Sequence, residues 1–165
     1  MRVKDVPVEK IAELLYYDPD TGLFVRKRYI VGGDSAVKQR LDHDGYLRIN
    51  VAKGTFKAHR LAWALYHGRW PAGDVDHINC DRADNRIVNL RECNRSQNCH
   101  NSSLRRNNKS GVKGVSWSGR RKKWHVQVAV NRKIHNGGMY ADIAEAEAVA
   151  IALRARLHGE FSNHG

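Results

Sequence analysis

Apolar residues recur at helical spacing in two stretches of the N-terminal half. Residues 8–17 predict a short amphipathic helix whose apolar face is formed by Val8, Ile11, Leu14 and Leu15. Residues 59–67 predict a second helix, which Gly68 ends and Pro71 cannot extend. We expect the Leu/Ala face of this second helix to be core rather than a partner site.

Alternating apolar and polar positions predict strands around these helices. The motif Asp-Pro-Asp-Thr-Gly at residues 18–22 predicts a tight turn leading into a strand at 23–25. In residues 45–51 apolar and polar side chains alternate, which indicates a half-buried strand. A hairpin turn at Lys53-Gly54 then leads into a partner strand at 55–58.

The middle of the chain predicts a strand, a loop, a strand and a helix in that order. The strands are expected at residues 75–78 and 90–92, with the loop at 79–89. Asn94 can cap the helix, because Gln97 stands three residues later and completes a capping box.

The C-terminal part predicts three antiparallel strands, at residues 114–117, 124–130 and 133–137, followed by a helix at 143–157. One stripe of that helix is expected to be core, formed by Ala144, Ala148, Ile151 and Ala152. The predicted fold class is therefore α+β, with a small three-stranded sheet packed on one helix at the C-terminal end.

Composition narrows the classes of protein that fit this pattern. The 165 residues are enough for one ordinary domain or two small ones, and 41% hydrophobic content excludes a wholly disordered chain. No run of eighteen apolar residues exists, and the N-terminus lacks the apolar core of a secretory signal. The three cysteines form no C-x-x-C pair, so we expect a reducing cytoplasm rather than a disulfide framework.

The charge is large and unevenly distributed. The formal net charge is +12, which favours nucleic acid as a partner before an anionic membrane. Residues 1–100 carry 17 basic and 13 acidic side chains, whereas residues 101–165 carry 12 basic and 4 acidic ones. The Asn/Ser-rich segment 98–110 is typical of a linker, so we expect domains at 1–106 and 107–165.

Residues 74–98 hold the side chains that could carry chemistry. If the helix folds back across the strand, Asp76 and Asn98 could meet as two oxygen donors for a hard cation such as Mg²⁺. On the other side of a bound phosphate whose ester bond is to be cut, His77 could take a proton from the attacking water. Asn89 could hydrogen-bond to the backbone across the loop and fix the orientation of the histidine.

The motifs V-D-H-I-N, D-N-R-I-x-N-L-R and R-S-Q-N resemble the HNH family of ββα-metal (His-Me finger) nucleases, specifically phage-type homing endonucleases. Further upstream blocks, Y-D-P-D-T-G, G-Y-L-R-I-N-V, A-H-R-L-A-W and G-R-W-P, extend the resemblance over residues 15–98. The resemblance implies that Asp76 and Asn98 bind one divalent ion, Mg²⁺ or Mn²⁺. It also implies that His77 is the general base and that Asn89 holds the loop. Cys80 stands where this family usually has glycine.

Residues 109–161 are similar to the Apetala/ethylene-response-factor type of DNA-binding domain, in which a three-stranded sheet lies in the major groove. The run S-G-V-K-G-V-S-W-S-G-R-R-K-K-W-H-V-Q and the later L-H-G-E-F carry this resemblance. It implies DNA contacts by six residues, which are Lys113, Arg120, Arg121, Lys123, Trp124 and Gln127. We expect Trp124 to be partly core as well. Arg60, Arg105 and Arg106 are additional candidates for phosphate contacts, although packing and a hydrogen bond are the simpler role for Arg60.

The predicted function is a divalent-metal-dependent DNA endonuclease that acts on double-stranded DNA at a preferred sequence. No membrane or small-molecule substrate is expected, and a homodimer is possible, in which case both strands could be cut. The alternatives are a DNA-binding regulatory protein with a degenerate nuclease module, and an RNA-binding module. Cys80, Cys93, Cys99 and His100 could supply zinc ligands, but their spacing lacks a paired knuckle and favours free cysteines.

Overall fold

The structure is a computed structural model that describes residues 6–27, 36–102, 104 and 107–163. Its contacts divide the chain into two compact units, Met1–Cys93 and Asn94–Gly165. Both combine helices with small antiparallel sheets, which confirms the α+β class.

The N-terminal unit begins with helix α1 (Val8–Leu14), which ends three residues earlier than the predicted helix. The next residues form strand β1 (Leu15–Tyr17), which pairs with β2 (Phe24–Arg26) across the expected turn. Leu15 and Tyr17 are buried whereas Tyr16 is exposed, so this segment follows a period of two. The prediction of a helix to residue 17 was wrong, because pairing with β2 outweighs the helical spacing of the apolar residues.

A three-stranded sheet and a helix form the core of this unit. The sheet has the order β3 (Arg40–Leu41), β4 (Leu47–Val51) and β5 (Gly54–Lys57), with its tight turn at residues 52–53. Helix α2 (Ala58–His67) follows directly and ends at Gly68, which adopts the left-handed conformation that favours glycine. The core joins side chains of α1, α2 and the strands, and its most buried members include Ile11, Phe24, Ile49, Phe56 and Leu61.

The predicted strand–loop–strand–helix segment is present. Strand β6 (Asp74–His77) pairs with β7 (Leu90–Cys93), and a 3-10 helix (Ile87–Asn89) ends the loop between them. Helix α3 (Arg95–His100) begins after Asn94, whose capping box with Gln97 is confirmed. This helix belongs to the C-terminal unit, whereas both strands belong to the N-terminal one.

The C-terminal sheet has the order β10 (Lys133–Tyr140), β9 (Lys123–Val130) and β8 (Val115–Ser118), and helix α4 (Ile143–His158) packs on it. The predicted core stripe of α4 was wrong, because its four residues are exposed. The buried stripe is Ala146, Ala150 and Leu153. Since α4 is alanine-rich around its whole circumference, its sequence does not distinguish the two stripes, and packing on the sheet does. Trp124 is half-buried against this core, as expected.

No helix among the described residues is long and apolar enough to cross a membrane. None of the three cysteines forms a disulfide within the described residues; Cys93 is buried, Cys80 is half-buried and Cys99 is exposed.

Candidate active site and nucleic-acid interface

Strand β6 carries the two central residues of the predicted active site. In its pairing with β7, Asp76 lies opposite Arg91 and His77 lies opposite Leu90. Successive residues of a strand point to opposite faces. Both side chains are nonetheless buried, with exposed fractions of 7% for Asp76 and 4% for His77. The hairpin therefore places a carboxylate and an imidazole next to each other in sequence, in surroundings with little water.

The carboxylate of Asp76 forms a buried ion pair with Arg91. Its Oδ2 atom accepts hydrogen bonds from Nε of Arg91 at 3.0 Å and from Nη2 at 2.9 Å. The guanidinium compensates the charge of a carboxylate that is removed from water. The two hydrogen bonds fix the orientation of the Asp76 carboxylate.

The imidazole of His77 is surrounded by other ring systems. Its ring centroid lies 4.9 Å from that of His59, in an edge-on arrangement, and 5.9 Å from that of Tyr46. Its Nε2 atom lies 3.3 Å from Oδ1 of Asn85. Burial lowers the pKa of His77, while the hydrogen bond to Asn85 and the nearby carboxylates oppose that shift. The imidazole of His77 is therefore neutral at neutral pH, and the neutral form is the one that can accept a proton.

Asn89 holds the loop closed, as the sequence suggested. Its side-chain Oδ1 accepts from the backbone N–H of Asn79 at 3.0 Å, and its Nδ2 donates to the carbonyl of Asp84 at 2.8 Å. Its own carbonyl accepts from the N–H of Ile78. One buried amide therefore ties both ends of the loop to the end of β6, beside His77.

Cys80 has a φ of 63°, in the left-handed region that glycine adopts without strain. The backbone at position 80 therefore has the conformation expected of the glycine that usually stands there in the nuclease family that the sequence resembles. The cysteine adopts it at a steric cost.

Asn98 lies on α3, in the C-terminal unit, and is half-buried. The helix is short and depends on the capping box at Asn94 for its first turn. Asp76, His77 and Asn89 are brought together within the N-terminal unit, while Asn98 is presented from the first turns of this helix.

Four candidate phosphate-binding cations precede the C-terminal sheet in the sequence. Arg60 donates to the backbone carbonyls of Gly73 at 2.9 Å and Pro71 at 3.4 Å, so its guanidinium has the simpler, structural role expected. Lys113 donates to the carbonyl of His100 at 3.0 Å, at the end of α3. Arg105 and Arg106 lie outside the described residues.

The remaining candidates lie on the C-terminal sheet. Arg120, Arg121 and Lys123 are exposed at and beside the turn between β8 and β9. Next to that turn, the ring of Trp124 lies 5.0 Å from that of Trp117, which is 52% exposed. Nε2 of Gln127 donates to Oδ1 of Asn136 on β10 at 3.1 Å. Exposed cations beside an exposed aromatic ring can contact nucleic-acid phosphates and bases.

Sequence reasoning missed three residues that surround His77 and Asp76. The sequence indicates only packing and a hydrogen bond for His59 at the start of a helix, and it indicates no separate role for Asn85 and Arg91 within the D-N-R-I-x-N-L-R block. His59 is 4% exposed, and burial lowers its pKa to about 2. A buried polar residue inside an otherwise apolar helix face is the signal that could have identified His59.

The residues predicted to hold a metal ion offer oxygen donors, a carboxylate from Asp76 and an amide from Asn98. These are ligand types that Mg²⁺ and Mn²⁺ prefer, usually with several waters. Among the described residues no group of three or more His, Cys, Asp and Glu side chains could hold a metal ion.

Comparisons with known proteins find one family model, one phage protein and one solved structure that resemble this chain. A family model described as "HNH endonuclease" matches residues 56–100, from the second half of β5 through α3. Protein 3.8 of Escherichia phage T7 is 33% identical over 107 residues, which cover 64% of this chain and 88% of that protein. A solved structure described as "DNA binding and cleavage by the HNH homing endonuclease I-HmuI" is 28% identical, with a TM-score of 0.43 over 53% of this chain. The chain spans 50% of the length of that homing endonuclease.

Proposed function

We propose, from the premise that the chain belongs to the HNH endonuclease family, that it is a metal-dependent endonuclease acting on double-stranded DNA at a preferred sequence. The observation that carries the proposal is that one strand holds Asp76, which is ion-paired with Arg91, next to the buried His77, whose pKa is lowered by burial. A homing role, like that of phage HNH enzymes, is part of this proposal.

The reaction needs a base for the attacking water and positive charge near the leaving oxygen. His77 accepts the proton of the water, because burial favours its neutral form. Asp76 and Asn98 would hold one divalent ion, Mg²⁺ or Mn²⁺, which supplies the charge stabilisation at the leaving oxygen when bound. Asn89 fixes the loop that keeps His77 in place.

DNA binding is assigned to the C-terminal unit, whose similarity to the Apetala type stays a prediction. The exposed cations Arg120, Arg121 and Lys123 support it, as does the absence of acidic residues between Glu92 and Asp142 in the sequence. Such a surface neutralises phosphates along the duplex and holds it while the N-terminal unit cuts. Further contacts with DNA are proposed for six other residues, which are Lys113, Arg60, Arg105, Arg106, Trp124 and Gln127.

The test is cutting of supercoiled plasmid by His77→Ala. We expect the variant to lose about 10²–10⁴ in single-turnover rate on saturating DNA, because a positioned general base typically contributes that much. Its DNA affinity should stay near that of the parent. Cutting by the parent should stop in EDTA and return with Mg²⁺.

A matched control is His43→Ala, which removes an exposed histidine of the same unit. This variant should cut at the parental rate. Cutting at the parental rate by His77→Ala would exclude the general-base role. A parent that binds DNA and never cuts it would instead favour the regulatory-protein alternative.

A further inference from the structure

Asn85 places a buried polar side chain in contact with the imidazole of His77. Its Oδ1 atom lies 3.3 Å from Nε2 of His77, and the two residues are only 2% and 4% exposed. Water therefore competes little for this contact, and the amide controls the hydrogen-bonding state of that ring nitrogen.

The orientation of the Asn85 amide follows from its second contact. Its Nδ2 atom donates to the backbone carbonyl of Ala83 at 3.2 Å, an acceptor that only the NH₂ end can satisfy. Oδ1 is therefore the end that faces His77, and an oxygen can only accept. The ring nitrogen Nε2 must carry the proton that is donated.

The backbone of Asn85 is held from the distant turn at residues 18–22. The Tyr17 hydroxyl donates to the carbonyl of Asn85 at 2.7 Å. Gly22 approaches so closely that an added Cβ would lie 2.8 Å from the carbonyl carbon of Asn85. The N–H of Ile87 donates to the carbonyl of Pro19 at 3.0 Å. This turn clamps the loop, so Asn85 cannot easily follow a movement of the histidine.

We propose that Asn85 is a positioning residue that selects the tautomer of His77, with the proton on Nε2 and the lone pair on Nδ1. The proposal rests on the proposed nuclease function. In the reaction, Nδ1 takes a proton from water as the water oxygen forms its bond to phosphorus and the bond to the leaving oxygen breaks. Nε2–H stays hydrogen-bonded to Asn85 throughout and stabilises the imidazolium.

The experiment compares the parent with Asn85→Ala and Asn85→Asp, since a carboxylate keeps an acceptor at this position and alanine does not. The tautomer of His77 is measured from its ring ¹⁵N shifts by long-range ¹H–¹⁵N NMR at a pH where the ring is neutral. Cutting is measured in single turnover on saturating DNA, and DNA affinity is measured separately.

We expect the parent and Asn85→Asp to hold the Nε2–H tautomer and Asn85→Ala to populate both. Asn85→Ala should cut about 10–100-fold more slowly with unchanged affinity, the usual loss when the partner that orients a functional histidine is removed. Asn85→Asp should recover most of that loss, which a merely structural role of the amide would not produce.

Three outcomes separate the possibilities. An Nδ1–H tautomer in the parent overturns the proposal, even if neither variant folds. A parent that cuts, together with an Asn85→Ala variant that cuts equally fast, overturns it as well. A parent that does not cut but shows the expected tautomers in all three proteins contradicts the proposed function and leaves the role of Asn85 in orienting His77 supported.

Discussion

Single buried residues connect stability to chemistry in the N-terminal unit. His59 packs against His77 and Tyr46, and its Nδ1 has no hydrogen-bond partner within the described part of the chain. Burial depresses its pKa from 6.5 to about 2, so the folded state keeps it neutral over the whole physiological range. Protonation of His59 would place a charge in a site with little water.

We expect the free energy of unfolding of the N-terminal unit to fall as the pH drops below about 6.5, because the unfolded state then binds a proton that folded His59 rejects. The stability contributed by neutral His59 is complete above pH 6.5 and is lost progressively toward pH 2. The slope should approach about 1.4 kcal/mol per pH unit from this residue. Urea unfolding at several pH values, followed by the methyl NMR signal of buried Ile49, measures it.

The control for this prediction is His59→Gln, which removes the titrating group and keeps a polar side chain. The pH slope between 6 and 5 should become shallower in the variant. An equal slope in parent and variant would show that His59 does not carry the pH dependence.

At the scale of single elements, helix α4 buries a guanidinium against the C-terminal sheet. Arg154 is 2% exposed, and its Nη1 donates to the carbonyl of Lys113. Its Nε and Nη2 find no hydrogen-bond partner among the described residues. Burial accordingly lowers its pKa. A buried charge with two unpaired donors costs stability that a well-packed apolar side chain would not.

We predict that Arg154→Leu stabilises the C-terminal unit by about 1–3 kcal/mol, since it removes the desolvation cost of the unpaired donors. Calorimetry on the full chain should show a higher Tm for this unit. Arg156→Leu, on an exposed position of the same helix, is the matched control and should change the Tm little. A lower Tm for Arg154→Leu would contradict the prediction, because it would mean that the guanidinium donors of Arg154 are satisfied in solution.

At the scale of the whole molecule, the two units differ in charge and in task. The net positive charge concentrates in the C-terminal part, because residues 101–165 carry 12 basic and only 4 acidic side chains, while the buried residues Asp76 and His77 lie in the N-terminal unit. The domain boundary predicted near residue 106 would place α3 in the N-terminal domain. The compact units divide after Cys93, which places α3 in the C-terminal unit. The helix that presents Asn98 is therefore part of the same compact unit as the basic sheet.

We expect the joint substitution of Arg120, Arg121 and Lys123 by alanine to weaken DNA binding and to flatten its salt dependence. Each phosphate contact contributes about 0.9 to the slope of log affinity against log salt, so three lost contacts should reduce the slope by about 2.7. Single-turnover cutting on saturating DNA should be unchanged. Fluorescence anisotropy across a salt series measures the slope.

The control is the triple variant Lys10→Ala, Lys38→Ala and Lys53→Ala, which removes the same charge from exposed positions of the N-terminal unit. It should change the slope much less. An equal reduction in both triple variants would indicate a general charge effect rather than a DNA-binding sheet.

The sequence by itself determined the local features of this protein. The alternation in residues 45–51, the turn at 18–22 and the capping box at Asn94 each depend on residues that are close along the chain, and all three are present. The same holds for the order of strand, loop, strand and helix that spaces Asp76, His77, Asn89 and Asn98. Backbone geometry and periodicity act over a few residues, so a linear pattern is sufficient to predict them.

Tertiary structure alone decided the partners of those residues. Tyr17 meets Asn85 across 68 positions, and His59 meets His77 only because α2 and β6 pack together. The same is true of Arg91 with Asp76 and of the face that α4 buries. These contacts depend on which apolar surfaces leave water together, a property of the whole packed unit that no local stretch of sequence contains.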